Sequence, residues 1–485
     1  MKTPNQQPAE RTESDPVETP APSGPDFPGR TGAEAEVAGL AVVLARSLLR
    51  IFFRQIEVVG AERLPSTGPV MLVANHVNSL VDPAMLLSGL GRRPRLLAKS
   101  TLWRHPVVRP LLELGAAIPV FRRRDPGVDP TKNQQTFARC HEVLAAGGMI
   151  AIFPEGTSHN QPSLVPLKTG VSRIVLEAEE RFGGLGVRVV PVGLTFDAKT
   201  RFRSRALMQV GEPLEVGADV ERYRDDPRGA VTTLTERVHE ALEDVTLNFP
   251  SWDEARLIGR AAEIWEQPAP ELPGEPSMLD AVEVRRAFVE GYRSLQRRHP
   301  AEVASLSAEV AAYDEALSEQ GLEDEQVAAS YPLGGVVRFV VESLALLLLR
   351  LPLALVGTAF SIVPYYVASW VAHRWGESDD LLATYKLLAS LFFYPAAWVL
   401  IATTVGWATE PILGLAALGL APLASWVALR FHERRGYFLR HVRAFLVLRS
   451  RSRRITALRR QRGELLSRIR ELAERFLTRR AESSA

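Results

Sequence analysis

The sequence predicts an α/β protein: a sheet flanked by helices, followed by a helical hairpin and a C-terminal transmembrane helical region. Three observations carry this expectation. Between residues 58 and 250, short apolar runs alternate with longer runs of helical periodicity, as βαβ units require. Two charged helical runs then follow a proline-rich linker. Beyond residue 333 come apolar runs long enough to cross a bilayer, which takes roughly 20 residues.

A chain of 485 residues with 46% hydrophobic content can build two or three domains with real cores. The formal charge of +2 excludes nothing by itself. The single cysteine, Cys140, excludes an intramolecular disulfide and argues against a cysteine-based metal site. The first residues lack a basic start followed by an apolar core. No secretory signal is therefore expected, and the α/β domain should face the cytosol.

Residues 1–35 are rich in Pro, Glu, Thr, Ser and Gly and hold almost no large apolar side chains. Such a segment cannot bury enough surface to offset its ordering entropy, so a disordered tail is expected. Residues 36–57 turn apolar, with Arg46, Arg50 and Arg54 at every fourth position. One basic stripe on an apolar helix suits a membrane interface; a core helix with a solvated arginine edge is the alternative.

Within 58–250 the candidate strands are 70–74, 95–98, 117–120, 149–153 and 187–194. Candidate helices include 83–90, 131–146, 170–181 and 230–245. A polar residue follows each of the first four strands: His76, Lys99, Arg122 and Glu155. Sites in open α/β sheets form at the carboxyl ends of strands, so these four belong together.

Residues 251–332 read as a linker and a charged helical hairpin, with helices over 278–298 and 301–320. Residues 333–431 read as transmembrane helices: 351–372, 387–405 and 412–429, with 336–349 a fourth, poorer span or an interfacial helix. Arg350, next to Leu351-Pro352, is a natural turn between 336–349 and 351–372. Residues 432–485 form a basic amphipathic tail, with Ile455, Leu458, Leu465, Leu466, Ile469 and Leu472 at helical spacing. Basic segments after a span stay on the cytosolic side, which requires an even number of crossings. Anionic membrane lipid, rather than nucleic acid, is its expected partner.

The chemistry starts from His76. It ends an apolar run, 70–74, in a polar turn, and Asp82-Pro83 then signals a helix start, with a carboxylate at the N-cap and proline behind it. Histidine takes protons near neutral pH, and a carboxylate can fix its tautomer. Six positions of one helix would not bring the two together, so the turn must do so. The plainer alternative is a turn histidine and a capping aspartate. Further on, Arg122, Arg123 and Arg124 follow a strand, and guanidinium forks suit a phosphate. In Phe153-Pro154-Glu155-Gly156-Thr157-Ser158-His159, Gly156 admits close backbone approach and Thr157 adds a donor. Lys168 precedes the helix starting at Gly170, where a phosphate is also welcome.

Taken in order, these motifs resemble the glycerolipid acyltransferase family, whose members acylate glycerol phosphates and lysophosphatidic acid. His76 and Asp82 match its His–Asp motif, Arg122 its arginine motif, residues 153–157 its glutamate–glycine motif, and Pro191 its proline motif. Five residues separate His76 from Asp82 where the common pattern has four. That spacing, with the hydrophobic C-terminal region, resembles a branch typified by fungal glycerol-3-phosphate/dihydroxyacetone-phosphate acyltransferases. The resemblance implies an acyltransferase-type mixed sheet over 58–250 in a multi-pass protein of the cell membrane. It implies His76 as general base with Asp82 orienting it. Arg122, Lys168 and Arg123 would hold the acceptor phosphate, and Glu155, Gly156 and Thr157 the glycerol end. The donor would be an acyl thioester, acyl-CoA or acyl-carrier protein, with no metal and no other cofactor. A membrane-anchored lipid-binding or scaffolding protein that kept the fold without activity is the reading from another class. The absence of a Gly-x-Ser-x-Gly elbow argues against a serine hydrolase.

Overall fold

The computed structural model describes residues 42–43, 45–104, 108–122, 130–266, 277–329, 333–376, 379–450 and 452–484. The expected disordered tail, the proline-rich linker and Arg123 lie outside the described residues.

Eight strands form one mixed sheet. Its path runs β1 (Gln55–Val59), β7 (Arg205–Val210), β6 (Arg188–Phe196), β2 (Val70–Ala74), β5 (Met149–Ile152), β3 (Arg95–Lys99) and β4 (Ile118–Val120), with β8 (Leu214–Glu215) beside β6. β6 pairs antiparallel with β7 and β8, and every other pairing is parallel. All five residues of β2 are buried, which is why that strand reads as a continuous apolar run without alternation. Val70, Leu72 and Ala74 face one layer; Met71 and Val73 face the other. The second layer is built from helices Asn133–Ala145, Gly170–Phe182 and Pro227–Val245. The first holds helix Val81–Gly89 together with Leu49, Phe52 and Phe53.

Those three residues correct part of the reading of 36–57. Residues 45–52 are helical, but Leu49, Phe52 and Phe53 are buried in the protein's own core, each contributing about 1.5–3 kcal/mol. Arg46 of the basic stripe donates to the Ser88 carbonyl at 2.9 Å. Among the described residues of that segment, Val43 and Ile51 are the large apolar side chains that stay exposed. β1 also starts at Gln55, ahead of residue 58.

Helices Trp252–Trp265, Met278–Arg298 and Pro300–Gln320 follow. The first precedes the proline-rich linker and is a helix that the reading of 251–332 did not contain. The hairpin is not merely solvated: Val310, Tyr313 and Leu317 form a buried cluster with Ile264 and with Ile455, Leu458, Leu465 and Ile469 of the tail helix Ser452–Ser484. The tail thus spends its apolar stripe on protein rather than on lipid. Arg462 and Asp324 form a buried ion pair at 3.0 Å beneath it, and the Tyr313 hydroxyl donates to Asp324 at 2.7 Å. The hairpin is tied to the sheet in turn, because Glu57 of β1 accepts from the Met278 N–H at 2.9 Å.

Among the described residues, three helices are long and apolar enough to cross a membrane: Gly334–Trp375, Leu382–Ala408 and Pro411–Ser450. The separate runs 336–349 and 351–372 are one helix, Leu333–Trp375, so Arg350 is a helical residue and not a turn. Pro352 and Pro364 lie inside that helix; apolar helices packed on neighbours tolerate the lost backbone bond. Close approach explains one glycine here, since a Cβ on Gly357 would strike the Ala424 backbone. Helices Asp379–Ala408 and Pro411–Ser450 fold back on each other, with Trp398 Nε1 donating to Ser425 Oγ at 3.3 Å.

Candidate active site

β2, β5, β3 and β4 are consecutive, mutually parallel strands. Their carboxyl ends therefore share one edge, and His76, Glu155, Lys99 and Arg122 all emerge there, as the strand-end pattern predicts. Asn75, buried at the end of β2, locks that edge to β6: its Nδ2 donates to Leu194 O at 3.0 Å and its Oδ1 accepts from Leu194 N–H at 2.7 Å.

His76 and Asp82 meet. His76 Nδ1 lies 2.9 Å from Asp82 Oδ2, and Asp82 is fully buried while the imidazole keeps 18% exposure. The wider spacing is closed by a tight turn in which Ser79, a non-glycine residue, takes φ 31°. One expectation is corrected. Asp82 is not the N-cap of its helix: the N-cap is Leu80, the helix runs Val81–Gly89, and no side chain of its own caps it. Asp82 sits inside the first turn and sends its carboxylate back, where Oδ2 also accepts the Asn78 N–H at 2.7 Å. A carboxylate only accepts, so Nδ1 carries a hydrogen, and in the neutral ring Nε2 is the acceptor. The ring stacks on Phe153 at 4.1 Å between centroids and 16° between planes, which fixes its plane.

Glu155 is placed differently from expectation. It is buried, and both carboxylate oxygens are taken by protein donors: Oε1 by the His76 N–H at 2.7 Å, Oε2 by the Val165 N–H at 3.1 Å and by His159 Nε2. The Gln161 N–H donates to His159 Nδ1 at 3.1 Å, so the His159 proton is on Nε2 and points at Glu155. The His159 N–H closes the loop on the His76 carbonyl at 3.1 Å. Glu155 thus holds the backbone on which His76 sits, rather than reaching toward an acceptor.

Arg122 and Lys168 converge on Gly156. Arg122 Nη1 donates to the Gly156 carbonyl at 2.5 Å. Lys168 packs against the same residue: a Cβ on Gly156, which has φ +71°, would fall 2.9 Å from Lys168 Cδ and Cε. The Lys168 N–H is itself anchored to Pro154 O at 2.9 Å. Two cations at one glycine make a cradle for a dianion. Thr157 turns its hydroxyl to Ser158 O at 3.3 Å, and Ser158 Oγ meets Ser79 Oγ at 2.9 Å, tying the two motifs together.

Sequence reasoning missed four contributors. Asn75 and Asn78 read as ordinary turn formers. His159 ended the glutamate motif in plain sight, four positions after its partner. Lys199 donates to the Val77 carbonyl at 3.0 Å from a loop that carries no motif.

A histidine held by a buried aspartate near two cations, on the carboxyl edge of a mixed sheet, fits an acyltransferase. A family model described as acyltransferase matches residues 55–195. A second, described as the glycerol-3-phosphate acyltransferase 2 C-terminal domain, matches residues 272–477. Glycerol-3-phosphate O-acyltransferase 2 of Saccharomyces cerevisiae is 31% identical over 55% of this chain and 37% of its own length. An uncharacterized acyltransferase of Schizosaccharomyces pombe is 24% identical over 88% of this chain and 79% of its own. Glycerol-3-phosphate O-acyltransferase 1 of Saccharomyces cerevisiae is 23% identical over 74% of this chain and 60% of its own. The chain thus spans only about a third to four-fifths of these relatives. Both matched regions are similar to glycerolipid acyltransferases.

Proposed function

We propose that this chain is a membrane-bound O-acyltransferase of phospholipid biosynthesis. It moves a fatty acyl group from an acyl thioester, acyl-CoA or acyl-carrier protein, to a hydroxyl of a glycerol-phosphate-type acceptor. That class includes glycerol 3-phosphate, dihydroxyacetone phosphate and lysophosphatidic acid. The observation that carries the reading is the pairing of His76 Nδ1 with Asp82, which turns a basic Nε2 to the substrate side beside Arg122 and Lys168.

The acceptor hydroxyl gives its proton to His76 Nε2 as its oxygen bonds to the thioester carbonyl carbon. The carbon–sulfur bond breaks, and the thiol leaves with the proton from His76. Asp82 stabilises the transient imidazolium and keeps the ring aligned. Arg122 and Lys168 hold the acceptor phosphate, so the hydroxyl approaches in a fixed register.

The chain's polar parts lie together on the cytosolic side of the cell membrane. The sheet, the hairpin and the tail pack as one body, which requires an even number of crossings. Helices 379–408 and 411–450 cross and return, and helix 333–375 does not add a net crossing. In support, Thr384 and Glu433, near the polar ends of that pair, both touch the α/β domain, at Leu80 and Arg203.

A panel of phosphorylated three-carbon acceptors with a labelled acyl thioester, assayed in membranes, tests the reading. His76→Ala should lower turnover by about a hundredfold to ten-thousandfold at unchanged protein level. Near-normal turnover in that variant overturns it.

A further inference from the structure

We propose that Thr384, at the start of the second apolar helix, is a positioning residue for the His76–Asp82 pair, so that the seating of a membrane helix sets the rate of turnover. The inference rests on the acyltransferase reading above and adds a residue about 300 positions away.

Helix Val81–Gly89 begins without a cap of its own, because its N-cap is Leu80, whose side chain cannot accept a hydrogen bond. The Leu80 N–H is taken instead by Thr384 Oγ1 at 3.0 Å. The contact is set in apolar packing: Ala383 and Leu387, on either side of Thr384, belong to the same buried cluster as Val81, Met85 and Leu86. A second grip comes from the same helical turn. Lys386 Nζ donates to Thr200 O at 2.9 Å. The neighbouring Lys199 donates to Val77 O at 3.0 Å, and its carbonyl accepts from Asn78 Nδ2 at 3.4 Å. The turn 77–80 is therefore held at three of its four residues by groups that lead to one turn of the apolar helix.

That turn needs outside support. Ser79 takes φ 31° within it, and such a conformation persists only where its surroundings impose it. The Asn78 N–H fixes the very Asp82 oxygen that holds His76. Thr384 never approaches a substrate. Its effect passes through Leu80 to the turn, from the turn to Asp82, and from Asp82 to the imidazole.

The test compares Thr384→Val, which keeps the shape and loses the acceptor, with Thr384→Ser, which keeps the hydroxyl. Both are assayed in membranes beside wild type and His76→Ala. Thr384→Val should lower kcat by about tenfold to a hundredfold, as displacements of order 1 Å do, with KM for donor and acceptor unchanged; Thr384→Ser should restore most of kcat. Wild-type kcat in Thr384→Val, with His76→Ala inactive, overturns the inference and leaves the acyltransferase reading standing. Activity in His76→Ala overturns that reading instead. If Thr384→Val does not accumulate, Lys386→Met decides: a lowered kcat at constant KM supports the inference, and an unchanged kcat overturns it.

Discussion

Glu155→Gln tests whether the glutamate of the third motif works through the His76 backbone. The two side chains have nearly the same shape, so the substitution leaves no cavity. What changes is polarity. Three N–H groups point at the Glu155 carboxylate: His76 N–H at Oε1, Val165 N–H and His159 Nε2 at Oε2. A glutamine has one carbonyl and one NH2, and two donors cannot satisfy each other. The cheaper orientation keeps the carbonyl on the Oε2 side, where it meets two donors, and turns the NH2 on the His76 N–H. The bond lost there is charge-assisted and buried, worth about 1.5–3 kcal/mol. If that loss appears in the positioning of His76, kcat falls by roughly tenfold to a hundredfold at 1.36 kcal/mol per decade. KM for the acceptor should stay constant, because both Glu155 oxygens are filled by protein donors. The assay is steady-state acyl transfer over a range of acceptor concentrations, with circular dichroism or proteolysis to confirm the fold. A folded variant that keeps kcat within about twofold, or one that raises only the acceptor KM, refutes the reasoning.

Two further outcomes follow from the same geometry. Arg122→Ala should raise the acceptor KM and spare the donor KM, because Arg122 and Lys168 both lie against Gly156; a change confined to the donor KM would move Arg122 to the donor channel. Topology can be read with single added cysteines at Thr409, between the two antiparallel helices, and at Ser467 in the tail. Cys140 need not be removed, because burial pushes its thiol up to about 12 and keeps it protonated and inert in the folded protein. An impermeant reagent applied to intact cells should modify Thr409→Cys and spare Ser467→Cys; labelling of Ser467→Cys contradicts an even number of crossings.

The sheet edge was the most legible part of the molecule. Four polar residues each followed an apolar strand, and because β2, β5, β3 and β4 are adjacent and parallel, residues scattered over 79 positions share one rim. The roles within that rim were less legible. Asp82-Pro83 carries the composition of an N-cap, and only the three-dimensional turn shows that the carboxylate points backward at His76. Glu155 has the residue type of a substrate ligand, and only its burial with both oxygens filled shows that it serves the backbone. The flanking strands escaped for a different reason. β1 is an edge strand with no buried residue and no clean alternation, next to an apolar helix, and β7 reads as one more apolar run in a loop-rich stretch.

The C-terminal half shows why apolar patterning stops short of a partner. The stripe Ile455, Leu458, Leu465, Ile469 has the same periodicity whether it meets lipid or protein, because either removes it from water. The polar residues beside the stripe carry the distinction. Arg462 is 8% exposed and Asp324 3% exposed. A basic helix lying on anionic lipid would keep its arginines at the headgroups, whereas Arg462 points inward, bridging Asp324 and the Ile264 carbonyl at 3.1 Å. Burying an arginine is costly unless each donor is met, so this helix needs a protein surface that carries an acid at the matching position. The hairpin region supplies it, along with Glu309 for Arg468 and Glu302 for Arg475. A tail so committed to the hairpin cannot lie across the membrane from it, and this ion-pair register constrains the count of crossings more tightly than the excess of arginine does.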